Sequence, residues 1–300
     1  MMPRVLSRIS MHLFSRFFYL DTWYLKYAFV SGASSGFGTF KKLFPPKDRF
    51  WADPHIVASG DHYYVFVEEY VYGTRKGHIA VLTMDQTGEA GRPVPILETP
   101  YHLSYPFVFE YDHKHYLVPE SAAARTIDLY ECIVFPHKWK YKMSLMKNVL
   151  AVDSTIFHYN GIWWLFAGIA EQEAAFPEVD LFLFFADSPL TDRWIPHPLN
   201  PIVTDVKNAR PAGRIFAKDG KIFRPSQDCS KFYGYGFDLN EISRLSVTDY
   251  QENRQISVRS DWDTDALGAH TYATDGDLTC IDVFTRRPKY SMTDLMKRWK

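Results

Sequence analysis

The stretch Trp51-Ala-Asp-Pro-His-Ile-Val57, followed by Ser59-Gly-Asp61 and His62-Tyr-Tyr-Val-Phe-Val-Glu68, has a grammar that recurs along the chain. A short motif opens an apolar run, a turn follows, and a second, aromatic run returns. The same order appears in Ser104-Tyr-Pro-Phe-Val-Phe-Glu110, the turn around Asp112-His-Lys114 and His115-Tyr-Leu-Val-Pro-Glu120. It appears again in Val152-Asp-Ser-Thr-Ile-Phe-His158, Asn160-Gly161 and Ile162-Trp-Trp-Leu-Phe166. A fourth copy runs Arg210-Pro-Ala-Gly-Arg-Ile-Phe216, Asp219-Gly220, Lys221-Ile-Phe-Arg-Pro225. The last is Gly268-Ala-His-Thr-Tyr272, Asp275-Gly276, Asp277-Leu-Thr-Cys-Ile-Asp282. Asn-Gly and Asp-Gly favour tight hairpins because both turn positions take positive φ.

Aligned on their turns, the five units open near Asp53, Tyr105, Asp153, Ala212 and Gly268. That spacing is roughly 50 residues, the size of one four-stranded propeller blade. Third strands are expected at His78-Ile-Ala-Val-Leu82, Thr126-Ile-Asp-Leu-Tyr130 and Val179-Asp-Leu-Phe-Leu-Phe-Phe185, and fourth strands at Trp139-Lys-Tyr-Lys142 and Trp194-Ile-Pro-His197. The expected fold is therefore an all-β, five-bladed β-propeller over residues 41–290. Residues 1–40 form an extension that partly closes the ring, with a strand around Trp23–Val30 completing the last blade. Ser291 and Asp294 suggest a short capped helix over 291–300.

Composition narrows the function class. The chain has 300 residues, is 46% hydrophobic and 17% aromatic, and has a formal net charge of −1. Near-neutrality gives no electrostatic reason to expect nucleic acid or an anionic membrane as partner. The longest uncharged run, Ser154 to Ala170, contains His158, Asn160 and Gly161, so it reads as two strands and a turn rather than a membrane span. Arg4, Arg8 and Arg16 precede the first acid, Asp21, yet the apolar stretch Met11–Leu13 is too short for a signal-peptide core. Cys132, Cys229 and Cys280 are odd in number, far apart and lack CxxC spacing, which fits a reducing compartment, and a cytoplasmic location is expected. An organellar or membrane-surface role is the minor alternative.

Val30-Ser-Gly-Ala-Ser-Ser-Gly-Phe-Gly38 looks like the cofactor loop of short-chain dehydrogenases. Its context contradicts that reading. Pro45-Pro46 stops any following helix within two turns, and the chain's Tyr-xxx-Lys spacing, Tyr72–Lys76, lies inside a hairpin. A loop is expected there, and no organic cofactor.

First strands of propeller blades line the central channel, so Asp53, Tyr105, Asp153, Arg210 and His270 should converge. Paired carboxylates are what acid–base attack on a glycosidic bond needs. The bland alternative is that Asp53 and Asp153 bind neighbouring backbone amides. Arg210, Arg214 and Arg224, with Gln227 and Asp228, form a polar cluster that either grips a carboxylate or phosphate or braces adjacent blades. If these arginines face the channel, an acidic or phosphorylated glycan is expected. Trp51, Tyr105 and Phe107 are candidates for a sugar-stacking platform, with Phe107 alternating into the core.

Trp51-Ala-Asp-Pro54, Val118-Pro-Glu-Ser121, Ala151-Val-Asp-Ser-Thr155, Asn208-Ala-Arg-Pro-Ala-Gly-Arg214 and Arg224-Pro-Ser-Gln-Asp-Cys-Ser230 resemble the N-terminal domain family of plant glucosamine inositolphosphorylceramide transferases and its bacterial relatives. The resemblance covers about Trp51 to Asp282. That family in turn looks like the five-bladed propellers of arabinanases, xylosidases and invertases. In the plant proteins the transferase chemistry is attributed to a separate domain, so the resemblance does not by itself imply a transferase. It does imply Asp53 as base or nucleophile and Asp153 as the carboxylate that orients substrate and tunes the acid. It places His270 facing a central water or divalent ion such as calcium. The related enzymes keep their general-acid Glu in the fourth blade, where this chain has Arg210-Pro-Ala-Gly-Arg214. Glu120 is the nearest substitute, although Glu68 occupies the matching place in the first unit. Three readings follow: a glycosyl-cleaving or glycosyl-transferring enzyme, a non-catalytic glycan-binding propeller beside a separate glycosyltransferase or other sugar-modifying enzyme, or a scaffold for protein partners.

Overall fold

The computed structural model describes residues 18–29, 36–171 and 179–289. It is a five-bladed propeller of five four-stranded antiparallel sheets. Blade one comprises Arg49–Ser59, His62–Val71, Lys76–Asp85 and Val94–Leu97. Blade two comprises Ser104–Tyr111, Lys114–Glu120, Thr126–Val134 and Lys138–Lys147. Blade three has Ala151–Tyr159, Ile162–Ile169, Asp180–Ala186 and the two-residue strand Ile195–Pro196. Blade four has Phe216–Lys218, Lys221–Asp228, Gly236–Leu245 and Tyr250–Arg259.

Blade five is assembled from both ends of the described chain. Tyr272–Asp275 and Leu278–Pro288 supply its inner strands, and Tyr19–Phe29 and Lys41–Leu43 its outer ones. Tyr19–Phe29 pairs with Leu278–Pro288 without interruption, from Tyr19 opposite Pro288 to Phe29 opposite Leu278. Without that strand, Leu278–Pro288 would be an open edge with unpaired backbone groups. The expected helix over 291–300 lies outside the described residues. So does most of the dehydrogenase-like loop, of which Phe37–Thr39 forms one 3-10 turn. Among the described residues, no helix is long and apolar enough to cross a membrane.

The hairpin turns adopt the conformations that their residues favour. Asn160 and Gly161 have φ of 53° and 76°, and Asp219 and Gly220 have 52° and 73°. Asp112 and His113 reach 50° and 59° without a glycine. Alternation along the strands then directs aromatic and branched side chains sideways, so the core is a set of clusters between neighbouring blades. Phe107, Leu129, Ile156 and Leu165 pack between blades two and three. Leu25, Tyr27, Val65, Leu82 and Leu278 pack between blades five and one. Leu25 is fully buried there. The prediction is that Leu25→Ala lowers stability by about 3 kcal/mol in denaturant unfolding, in a single transition. Phe44→Ala, at a residue 62% exposed, should change it by less than about 0.5 kcal/mol.

Candidate functional site

The first strands of blades one, two and three each carry a bulge at the same place. Register is interrupted between Ala52 and His55, between Ser104 and Phe107, and between Val152 and Thr155. The bulged residues Asp53, Tyr105 and Asp153 all take the left-handed region, with φ of 52°, 43° and 51°. Asp tolerates this conformation, but a bulky Tyr adopts it only when its surroundings demand it. In blades one and two the backbone N–H of the bulged residue meets a carboxylate of the neighbouring blade. The Asp53 N–H donates to Asp282 Oδ2 of blade five at 3.0 Å, and the Tyr105 N–H donates to Asp53 Oδ2 at 3.1 Å. The two aspartates that matched in the repeat therefore match in conformation.

On one side of the channel mouth stands a buried group of Asp53, His270 and Asp282. His270 Nδ1 lies 2.7 Å from Asp282 Oδ2, and Nε2 lies 3.2 Å from Asp53 Oδ1. Asp282 Oδ1 accepts the N–H groups of His270 and Thr271, both at 2.9 Å, and Thr271 Oγ1 donates to Asp53 Oδ1 at 3.0 Å. Burial would push the Asp53 carboxyl up, but the hydrogen bond and charge of His270 outweigh it and hold Asp53 below the usual carboxylate range. Burial acts oppositely on His270, yet Asp282 and Asp53 raise the imidazole well above its ordinary value. One ligand atom from each of the three residues falls within 4.8 Å of the others. His270 Nδ1 has no aligned hydrogen-bond partner despite its short contact. Two carboxylates and an imidazole this close together could hold a divalent cation once the imidazole gives up its proton.

On the other side stand Asp153, Glu120 and Arg210. Arg210 Nε donates to Asp153 Oδ2 at 2.6 Å, and Gln227 Nε2 donates to the same oxygen at 3.0 Å. Arg210 also reaches to 3.6 Å from Glu120 Oε2, which has no hydrogen-bond partner of its own. Burial, then the charge of Asp153, lift the Glu120 carboxyl well above its ordinary value, only partly offset by Arg210. Glu68 is lifted likewise by burial and by Asp53. Glu68 and Glu120 are indeed repeat-equivalent: Glu68 pairs with Ala52 and Glu120 with Ser104, each just before a bulge.

Not every expected residue joins this site. Trp51 packs in the core between blades five and one and donates its indole N–H to Glu69 at 2.8 Å. Tyr105 packs between blades two and three, its hydroxyl 2.8 Å from Thr155 Oγ1 and accepting the Gly213 N–H at 2.9 Å. Neither ring offers a stacking face, and Phe107 lies in the core as expected. The arginines do not gather either. Arg224 is buried against Glu252, at 2.6 and 2.7 Å, inside blade four. Asp228 braces Arg259 at 2.5 Å. Arg214 crosses to the first strands of blades one and two, donating to Val108 O at 2.9 Å and meeting His55 Nε2 at 2.7 Å. Of the three, Arg210 alone faces the carboxylates, and its charge is already engaged by Asp153.

Sequence reasoning missed Asp282, Glu68 as a site residue, Trp23 and Tyr233. Asp282 had a signal, a lone acid within the apolar run Leu278–Phe284. Trp23 had none, because it comes from the strand furthest away in sequence. Its ring lies 4.2 Å from that of His270.

Comparison with known proteins agrees with this architecture. The family model described as glucosamine inositolphosphorylceramide transferase 1, N-terminal, matches residues 41–274. Glucosamine inositolphosphorylceramide transferase 1 of Oryza sativa subsp. japonica is 35% identical over 207 residues, which is 68% of this chain and 28% of that protein. The Arabidopsis thaliana protein of that name is 36% identical over 207 residues, 68% of this chain and 27% of its own length. The chain thus spans less than a third of the curated relatives it matches. Among solved structures, the catalytic domain of Coprinopsis cinerea GH62 alpha-L-arabinofuranosidase superposes with a TM-score of 0.59 at 11% identity, over 89% of this chain and 99% of that one. A family 117 glycoside hydrolase from Zobellia galactanivorans gives 0.57 at 11% identity, over 87% and 90%. At such identities the likeness is one of fold. The match to residues 41–274, with relatives at 35% identity, places the chain in the family of the N-terminal domain of glucosamine inositolphosphorylceramide transferase 1.

Proposed function

We propose that this propeller acts on a glycan at the channel mouth, cleaving or transferring a glycosyl group. The observation that carries this reading is a pair of carboxyls whose surroundings shift them in opposite directions, Asp53 downward beside His270 and Glu120, whose Oε2 has no hydrogen-bond partner, upward. Such a pair is what general acid–base chemistry at a glycosidic bond requires. In this reading Glu120 donates its proton to the leaving oxygen, and Asp53 activates the attacking hydroxyl or water. Asp153, fixed by Arg210 and Gln227, orients the substrate and keeps Glu120 protonated. The propeller glycosidase fold supports the assignment as a setting, not as proof of a reaction.

Substrate charge follows from the surroundings. With Glu68 and Glu120 raised toward their neutral forms, the three aspartates Asp53, Asp153 and Asp282 still outnumber the two cations, Arg210 and His270. An acidic or phosphorylated glycan would meet net repulsion there, so a neutral glycan is the better match. Asp53, His270 and Asp282 are the residues that would hold a divalent ion such as calcium, whose charge would stand in for that of the imidazolium. The three unpaired thiols support a reducing, cytoplasmic setting.

A second reading has its own observation. Both Asp53 oxygens are engaged by Tyr105, Thr271 and His270, as a purely structural aspartate would be. Here the propeller binds a glycan without turnover, and a separate glycosyltransferase or other sugar-modifying enzyme performs the chemistry.

Two predictions separate the readings. On 4-nitrophenyl arabinofuranoside, xyloside and glucosaminide, catalysis predicts turnover by the wild type and a loss of about 10²–10⁴-fold in Glu120→Gln and Asp53→Asn. Activity should persist above the ordinary carboxylate range and fall as pH rises through the raised value at which Glu120 gives up its proton. Saturable sugar binding without turnover, unaffected by Asp53→Asn, leaves only the recognition reading. The second prediction concerns stability. A raised folded pKa gives Glu120 a stabilising contribution that is fully present below its ordinary 4.5 and is lost as pH rises through the raised value. Glu120→Gln lacks that loss. Its unfolding midpoint should therefore gain on the wild type as pH rises above 4.5, and a constant difference would show that the Glu120 carboxyl is not raised.

A further inference from the structure

The loop Ser230–Tyr235 leaves the end of the second strand of blade four and passes over the site. Apart from Ser230, its residues lie outside every motif singled out in the sequence. The loop is fixed at several points. The Ser230 N–H donates to Asp228 Oδ1 at 2.9 Å, and Lys231 Nζ donates to the Tyr235 hydroxyl at 2.7 Å. Gly234 has φ of 78°, and a Cβ there would stand 2.4 Å from the Trp23 ring. A Cβ on Gly268 would stand 1.9 Å from the Gly234 carbonyl oxygen. Only glycines allow the loop to approach this closely to Trp23 and to the opening of blade five.

That approach puts Tyr233 beside the carboxylates. The Arg210 guanidinium lies 5.0 Å from the centre of the Tyr233 ring. The His270 ring meets it edge-on at 5.1 Å and 72°, and the Trp23 ring at 6.4 Å and 68°. Burial lifts the Tyr233 hydroxyl well above its ordinary value, the charge of Arg210 opposing the rise and those of Asp53, Asp153 and Glu120 adding to it. The residue as a whole is nonetheless 38% exposed, whereas Asp53, Asp153, His270 and Asp282 are each 4% exposed or less. Tyr233 is an aromatic ring that touches both cations of the site and also reaches solvent.

We propose that Tyr233 is the specificity-determining wall of the site, its exposed ring supplying the apolar contact for a sugar ring, with Trp23 beside it. The proposal rests on the glycan reading above and replaces the platform expected at Trp51 and Tyr105. Sugars present faces of C–H groups to aromatic rings, and a ring held by Arg210, His270 and Trp23 makes that contact without losing side-chain freedom on binding. Tyr233 comes from blade four, whereas Glu120, whose Oε2 has no hydrogen-bond partner, comes from blade two.

Calorimetric titration of the full chain with arabinotriose, xylotriose and glucosamine tests this, with unfolding midpoints confirming that each variant is folded. The expected result is saturable binding of at least one probe, weakened about tenfold in Tyr233→Ala and largely restored in Tyr233→Phe. Unchanged affinity in Tyr233→Ala would overturn the proposal and leave the glycan reading standing. Equal losses in Tyr233→Ala and Tyr233→Phe would assign the contact to the hydroxyl and overturn the stacking role. Absence of wild-type binding to all three probes would overturn the glycan reading and this proposal together.

Discussion

Asp53 holds three blades at one point. Its own N–H donates to Asp282 of blade five, its Oδ2 accepts the Tyr105 N–H of blade two, and its Oδ1 accepts the Thr271 hydroxyl of blade five. Around the rest of the channel the links continue. Tyr105 reaches Thr155 in blade three and Gly213 in blade four, Arg210 and Gln227 of blade four hold Asp153 of blade three, and the Tyr272 N–H of blade five donates to the Ala212 carbonyl. The five sheets touch mainly through apolar clusters, which are non-directional. This buried polar ring supplies the direction, and each member is costly to leave unpaired.

The same ring concentrates charge. Five carboxyls brought to one channel mouth cannot all ionise beside two cations, so the environment sorts them, lowering Asp53 and raising Glu68 and Glu120. The crowding that opposes stability is also what raises these carboxyls toward their neutral forms. The left-handed backbone at Tyr105 is a further strain borne by the same place. Asp53 thus serves as a blade clamp whatever else the site does.

Arg210 marks the departure from the propeller glycosidases. The resemblance implied a general acid in blade four, and this chain instead carries there a cation bound to Asp153. The acidic partner comes from blade two, where Glu120 lies on the far side of that cation. In the proposed reading, this substitution moves the proton donor from blade four to blade two while Asp53 and Asp153 keep their places.

The repeat, its turns and the matched aspartates were legible in the sequence, because each depends on residues close together along the chain. Asn160-Gly161 and Asp219-Gly220 make hairpins through their own backbone preferences, and alternation along each strand marks its core face. Asp53 and Asp153 stood out because a repeat places equivalent residues at equivalent bulges. The destination of long side chains was not legible. Arg210, Arg214 and Arg224 sit within one short stretch, yet three different partners from three regions take them to three places. Trp51 looked like a binding aromatic until Glu69 and the blade interface claimed it. Asp282, Trp23 and Tyr233 meet at His270 because an N-terminal strand closes the last blade. Sequence alone determined the ring and two of its acids; tertiary closure decided which charges and which aromatic rings meet at its centre, since those contacts join residues that no local pattern connects.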